Sequence, residues 1–324
     1  MSNVYVTRRI PQPGLEILEA ACDRVEVNPE DRYLTREELL RAVRGRDGVL
    51  CLLTDVIDDE VLAAAGPQCR VFANYAVGFN NIDVAAATRR GIMITNTPGV
   101  LTDSTADLAW ALIMSVARRV VEGDACVRSG KWDGWGPMQF LGQDVYEKTL
   151  GIVGAGRIGT ATALRSVGFR MKVLYTSSRP NPELDAIGGR RVDLLALLRE
   201  SDFVSIHVAL NEQTRHLIGR KQLALMKPTA YLINTARGPV VDEKALVEAL
   251  RERRIAGAGL DVYEEEPRIT PGLTDLPNVV CLPHLGSATE ATRAKMATMA
   301  ATNLVAAVRG ERPPNLVNPE VLEG

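Results

Sequence analysis

No part of this 324-residue sequence is apolar for long enough to suggest a membrane span. The most apolar helical stretch, Leu108 to Ala117, is bounded by Asp107 and Arg118, well short of the roughly 20 residues a crossing needs. The opening MSNVYVTRRI lacks the apolar core and small-residue cleavage site of a signal peptide, so a cytoplasmic protein is the expectation. An excess of either charge is also missing. Lys and Arg number 38 against 40 Asp and Glu, a net of −2, which leaves no basic field to attract nucleic acid or anionic lipid. Small molecules are the expected partners, with no nucleic acid and no membrane. Cysteine is scarce: Cys22, Cys51, Cys69, Cys126 and Cys281 are odd in number, lack metal-ligand spacing and sit mostly in apolar runs. That argues against a disulfide framework or a metal centre and suits a reducing compartment. There is no low-complexity tract and no short repeat. Histidine is scarcer still, at three residues, so a proton-transfer histidine has few candidates.

What is present is ordinary globular composition, 46% hydrophobic and 24% charged with 27 Gly and 17 Pro. At roughly 150 residues per domain the length suggests two domains. The first part alternates β-rich runs with amphipathic ones: VYVT then LEILEAA, VEV then REELLRAV, GVLCLL then DEVLAAA, VFANYAVG then DVAAATRRG, and finally IMITN. Such alternation predicts βαβ units and a parallel sheet. From Lys148 a second series follows: TLGIVGAGRIG, MKVLYTS, DFVSIHV, AYLINTA, GAGLDVY and VVCLPH. Between the two, Ser104 and Asp107 have capping-box spacing and predict one long helix to about Arg128. Ser287 and Glu290 repeat that spacing ahead of an Ala-rich helix reaching Gly310. This tail is too short to be a domain and is expected to pack on the first unit. The chain therefore divides into 1–98 with 288–324, interrupted by 99–287.

Thr149 to Val153 runs into Gly154-Ala155-Gly156-Arg157-Ile158-Gly159 and then a helix-like stretch. In that context Gly154 permits the tight turn, Gly156 lets a pyrophosphate approach the backbone, and Gly159 packs the helix on the strand, with Arg157 and Ile158 also expected at the cofactor. This is a dinucleotide-binding pattern. The next strand ends in Thr176, Ser177, Ser178 and Arg179, with no carboxylate until Glu183. NAD-binding proteins place an acid there for the ribose. Hydroxyls and a guanidinium suit a 2′-phosphate instead, at roughly 1.5–3 kcal/mol per charge-assisted bond. NADP is the expected cofactor, with NAD as the alternative and a solvated polar loop as the bland reading.

His284 follows the apolar run NVVCL at a strand's C-terminal end, where ligands of open α/β sheets bind. His207 lies in an apolar run and His216 in a polar stretch, so packing and solvation account for them. Arg237, in Asn234-Thr235-Ala236-Arg237-Gly238-Pro239, also follows a strand, where a guanidinium can clamp a carboxylate. Alone it reads as a surface arginine in a turn, and Glu264-Glu265-Glu266 as a solvated acidic loop.

GAGRIG, NTARGPVVD, GAGLDVYEEEP and PHLGSAT, in this order and spacing, resemble the D-2-hydroxyacid dehydrogenase family, and within it the glyoxylate and hydroxypyruvate reductase branch. The resemblance extends through NYAVGFNNIDV and TNTPGVLTDSTADLAWAL to RPPNLVN. It implies two Rossmann-like, doubly wound parallel-sheet domains: a substrate domain of 1–98 with 288–324, and an NAD(P)-binding domain of 99–287 inserted in it, closing over cofactor and acid. It implies NADPH-preferring reduction of glyoxylate or hydroxypyruvate to the 2-hydroxy acid. Arg237 would bind the substrate carboxylate and polarise the keto group, His284 would donate the proton, and Glu266 would hold the imidazole. Asp261 would meet the nicotinamide carboxamide, with Thr105, Thr235 and Gly286 near the cofactor. Val77 and Gly78 would complete the carboxylate site, with Leu53 lining it. Trp135 would reach a neighbouring subunit's pocket or pack in the interface of a homodimer. Asp103 and Asp107 fit helix N-terminal charges. Glu266 stands where formate-oxidising relatives differ, and the absence of a regulatory extension after residue 324 weighs against an allosteric phosphoglycerate dehydrogenase. The rival readings are another D-2-hydroxyacid or 3-phosphoglycerate dehydrogenase, and a cofactor-sensing, dehydrogenase-like binding protein.

Overall fold

A computed structural model describes residues 2–323. The apolar runs of the first series become β1 (Asn3–Val6), β2 (Arg24–Val27), β3 (Gly48–Cys51), β4 (Val71–Asn74) and β5 (Met93–Thr95). They form one sheet in the order β2-β1-β3-β4-β5, every pair parallel. Every residue of β3 and β4 is buried, as expected where helices cover both faces of a parallel sheet. Three of the intervening helices start where polar side chains satisfy their free N–H groups, whereas Gln12–Ala21 follows Pro11 without a side-chain cap. Thr35 and Glu38 form a reciprocal capping box, and Asp58 and Asp83 accept from Val61 N and Ala86 N.

The helix Glu290–Val308 belongs to this unit. Its Met296, Ala297, Ala300, Ala301 and Leu304 share one core with Val4, Val6, Leu15 and Leu18. Its small residues permit close approach to the helix Gln12–Ala21, where a Cβ on Gly14 would come within 2.7 Å of the Ala297 Cβ.

The second series forms β6 (Thr149–Val153), β7 (Lys172–Thr176), β8 (Arg190–Arg191), β9 (Phe203–Ile206), β10 (Tyr231–Asn234), β11 (Gly257–Leu260) and β12 (Val279–Cys281). The all-parallel order is β12-β11-β10-β9-β6-β7-β8. Strand order reverses between β6 and β9, the kind of switch point at which open α/β sheets bind ligands. One compact unit runs through Leu101 and resumes at Ala288, and the other is Thr102–Ser287. The architecture is thus the α/β class with two parallel sheets that the alternation predicts.

Local boundaries differ from expectation in three places. The long helix begins at Thr102, so Ser104 lies inside it and is not its cap, and Asp107 instead accepts from Arg165 Nε at 2.7 Å. That helix also ends at Ala117, and a separate one spans Val120–Arg128. The break has a cause: Gln143 N takes the Ala117 carbonyl at 2.8 Å, and Arg119 turns left-handed at φ 54°. The C-terminal helix is capped by Thr289, which accepts from Thr292 N, and not by Ser287. β8 has no counterpart in the sequence reading, because two exposed arginines carry no strand signal. Among the described residues, no helix is long and apolar enough to cross a membrane.

Candidate active site

β10, β11 and β12 are adjacent and parallel, and their register sets Asn234 beside Leu260 and Leu260 beside Cys281. Their C-terminal ends therefore line up at one edge, and the loops leaving them carry Arg237, Glu266 and His284. His284 Nδ1 lies 2.8 Å from Glu266 Oε2, while Glu266 Oε1 accepts from Tyr263 N at 3.0 Å. Burial opposes ionisation of Glu266, but the bond and charge of His284, the Tyr263 amide and the Arg237 charge outweigh it. The carboxyl is held below its usual range. Burial pushes the Arg237 guanidinium below its ordinary value, and the Glu266 charge pulls it back up. The charges of Arg237 and Glu266, carried on the loops that leave β10 and β11, thus favour each other's ionised form.

The turn that aims Arg237 is built by its own sequence. Asn234 Nδ2 donates to Arg237 O and Asn234 Oδ1 accepts from Ala236 N, both at 3.0 Å, while Arg237 Nη1 donates to Ala236 O at 2.7 Å. Gly238 then passes so close to the Tyr263 carbonyl that a Cβ would overlap it. Gly238→Ala is expected to cost about 1–3 kcal/mol, the range for forcing atoms into packed structure. Denaturant unfolding checks this, and unchanged stability would show that the loops part freely.

His284 occupies the left-handed region at φ 57°, which is uncommon for a residue with a side chain and is found at sites the surroundings over-determine. Asp261 supplies that constraint. Its backbone carbonyl accepts from His284 N at 3.0 Å, and its carboxylate accepts from Leu285 N at 2.6 Å and Gly286 N at 2.8 Å. Burial pushes the Asp261 carboxyl up, against these amides and the His284 charge. Gly286 O in turn accepts from Thr105 Oγ1 at 3.0 Å. Asp261, Thr105 and Gly286 thus form the mount of the histidine turn. Sequence reasoning missed a further brace: buried Glu243 accepts from Thr270 Oγ1 at 2.7 Å and from Glu264 N at 2.5 Å, fastening the loop that carries Glu266.

The other histidines have different surroundings. Burial pushes His207 down to about 3, and its Nε2 meets Ser205 Oγ at 2.8 Å. His216 Nε2 pairs with Glu264 Oε1 at 2.5 Å. Asp103 and Asp107 both bind Arg165.

At the switch point, a cleft of about 1000 Å³ is lined by the glycine loop, by Thr176, Ser177, Ser178 and Arg179, and by the backbone following β9. Gly154 makes the turn at φ +99°, and Gly159 lies against the Gly154 carbonyl, leaving no room for a Cβ. Gly156 precedes the helix Arg157–Arg165, and a Cβ there would meet nothing within 4 Å. The cleft therefore offers bare backbone and a helix N-terminus, the groups that bind a pyrophosphate. At the end of β10, Thr235 Oγ1 is buried without a hydrogen-bond partner among the described residues. An orphaned hydroxyl of this kind calls for a ligand or water, and a nicotinamide dinucleotide fits this donor set. Arg191, which sequence reasoning did not select, also lines the cleft.

Leu53, Val77 and Gly78 lie in the first unit. Asn96 Nδ2 donates to Val77 O at 2.8 Å and Asn74 Nδ2 to Gly78 O at 2.9 Å. With both carbonyls engaged, what this loop has to offer an anion is N–H. Trp135 is 84% exposed, and Met138 is 78% exposed on the same segment.

Comparison with known proteins matches residues 110–286 to the family model described as "D-isomer specific 2-hydroxyacid dehydrogenase, NAD binding domain". A glyoxylate reductase of Thermococcus litoralis is 53% identical over 324 residues, covering 98% of this chain and 97% of the relative. Among solved structures, a protein of Thermus thermophilus superposes with a TM-score of 0.90 at 45% identity, covering 97% of this chain and 99% of the other. An NADPH-dependent glyoxylate/hydroxypyruvate reductase of Sinorhizobium meliloti, solved with NADP and malonate, gives 0.85 at 31% identity, covering 99% and 97%.

Proposed function

The chain belongs to the D-isomer-specific 2-hydroxyacid dehydrogenases, and on that premise we propose that it reduces glyoxylate, and hydroxypyruvate as a second substrate, with NADPH preferred over NADH. The observation that carries this reading is the adjacency of Arg237, Glu266 and His284 at one sheet edge, beside a cleft that fits a dinucleotide. Reduction of a 2-keto acid builds negative charge on the carbonyl oxygen, so a fixed cation and a positioned acid lower the barrier. Arg237 binds the carboxylate through its planar fork and polarises the keto group. With Nδ1 held by Glu266, Nε2 is the ring nitrogen that gives its proton to the carbonyl oxygen. A bound nicotinamide supplies the hydride. Asp261, Thr105 and Gly286 keep the histidine turn in place, and Thr235 offers its hydroxyl to the cofactor.

Support for NADPH comes from the 176–179 stretch, which holds hydroxyls and a guanidinium where an acid would repel a 2′-phosphate. Under this reading Leu53, Val77 and Gly78 serve the substrate, and the protein is a cytoplasmic homodimer. Support for the dimer comes from the exposed apolar residues Val120, Val121, Val127, Trp135 and Met138. The test follows cofactor oxidation with glyoxylate, hydroxypyruvate, pyruvate and 3-phosphohydroxypyruvate, the keto acid of phosphoglycerate, using NADPH and NADH in parallel. Fastest turnover with glyoxylate or hydroxypyruvate and NADPH is expected; a preference for phosphoglycerate chemistry or slow turnover on every acid would overturn the reading.

The depressed pKa of Glu266 also has a sign for stability. A carboxyl whose folded pKa lies below its unfolded value stabilises the fold fully above the usual 4.5 and loses that contribution as pH falls through the lower folded value. The difference in melting temperature between wild type and Glu266→Gln is therefore expected to stay constant from neutral pH to about pH 5 and to shrink in more acid solution. A difference that persists undiminished in acid would contradict the assignment.

A further inference from the structure

The cofactor cleft contains a second guanidinium that comes from an element the sequence pattern hides. β8 is a two-residue edge strand paired with β7, with Tyr175 opposite Arg191. Alternation along a strand sends its two arginines to opposite faces. Arg190 pairs with Glu200 at 2.5 Å. Arg191 turns instead to the loop after β7, where Nε and Nη2 donate to Ser177 O at 3.1 and 2.8 Å, and Nη2 also reaches Ser178 O at 3.2 Å. The far end of this loop is tied as well: Asn181 Nδ2 donates to Thr160 Oγ1 at 2.7 Å and to Ala155 O at 3.2 Å. The segment from Ser177 to Arg179 is thus pinned at both ends, at the mouth of the glycine loop.

Engaging the carbonyls has an electrostatic consequence. A carbonyl oxygen turned toward a dianionic phosphate repels it, whereas hydroxyls, amides and guanidinium groups attract it. Arg191 withdraws two carbonyls by bonding them and adds its own charge to that of Arg179. The carboxylate among the residues lining the cleft, Asp193, accepts from Ala196 N at 2.8 Å and caps the following helix. The lining therefore carries two guanidinium groups against one capped acid.

We propose that Arg191 is a positioning residue for cofactor choice, its guanidinium holding the Ser177–Arg179 loop in the shape that receives a 2′-phosphate. This rests on the NADPH preference proposed above and assigns it to a residue outside the loop itself. The test measures binding of 2′,5′-ADP and 5′-AMP to wild type, Arg191→Ala, Arg191→Lys, Arg179→Ala and the Arg179/Arg191 double alanine variant. Arg191→Ala is expected to weaken 2′,5′-ADP about tenfold or more, the loss typical of charge-assisted bonds, while 5′-AMP changes by less than about twofold, which also reports that the cleft is folded. Arg191→Lys is expected to recover only part of the loss, because one ammonium lacks the planar fork. The Arg179 and Arg191 losses are expected to be non-additive, since one residue acts through the loop bearing the other. Wild type binding both nucleotides equally would sink the NADPH reading itself. Preference in wild type that survives Arg191→Ala, equal loss of both nucleotides, or strictly additive losses would overturn the role of Arg191 alone.

Discussion

Replacing His284 with alanine is expected to lower turnover of a 2-keto acid by roughly 10²–10⁴, the usual contribution of a positioned general acid. The loss should fall on kcat, because the ring's work is done when the carbonyl oxygen gains its proton. Cofactor affinity should be retained: the dinucleotide cleft is built from the glycine loop and the β7 and β9 ends, which do not include this side chain. The Glu266 partner makes the result more specific. Its Oε1 is still held by Tyr263 N in the variant, so the loop carrying it has a brace independent of the imidazole. Steady-state kinetics with glyoxylate, alongside quenching of protein fluorescence by NADPH, check both halves. Turnover within a few-fold of wild type would remove His284 from the chemistry.

Arg237→Ala is expected to reduce kcat/KM by roughly 30-fold to a few thousand-fold, from the roughly 2–5 kcal/mol lost when one partner of a buried charged pair is truncated. Both parameters should suffer, because the same guanidinium is asked to bind the carboxylate and to steady the developing oxyanion. Burial already pushes this guanidinium below its ordinary value, and the Glu266 charge offsets that cost. A substrate carboxylate would add to the offset, so the environment of Arg237 favours an incoming anion. Arg237→Lys should not restore activity, since a single ammonium cannot present two parallel donors to a carboxylate. Initial rates over a range of glyoxylate concentrations measure the effect. A variant with normal KM would show that the acid is bound elsewhere.

The legible part of the fold followed from pattern. Apolar runs such as GVLC and YLIN become strands buried on both faces, and the hydrophobic effect needs only their composition and spacing to place them there. GAGRIG could be read for the same reason: each glycine answers a local steric demand that shows in the sequence. Caps were harder. Ser104 and Ser287 have the right spacing yet neither begins its helix, because Thr289 is one residue before Glu290 and Thr102 already opens the other. Spacing says that a cap can form; at the C-terminal helix it is the Thr289 hydroxyl that takes the place. The helix break at Ala117 was not legible at all, since its cause is an amide from Gln143.

Sequence by itself determined the parallel α/β class, the glycine turn, and the residue types that a keto-acid chemistry would need, because these depend on local sterics, hydrophobic periodicity and the chemistry of single side chains. Tertiary structure alone decided that Glu266 meets His284 at 2.8 Å, that Asp261 locks the histidine turn, and that Arg191 grips Ser177 and Ser178. Each of these contacts joins residues on, or in the loops that leave, different strands. Their distances are set by the register and order of β7 to β12, and register is a property of the assembled sheet that no window of residues contains.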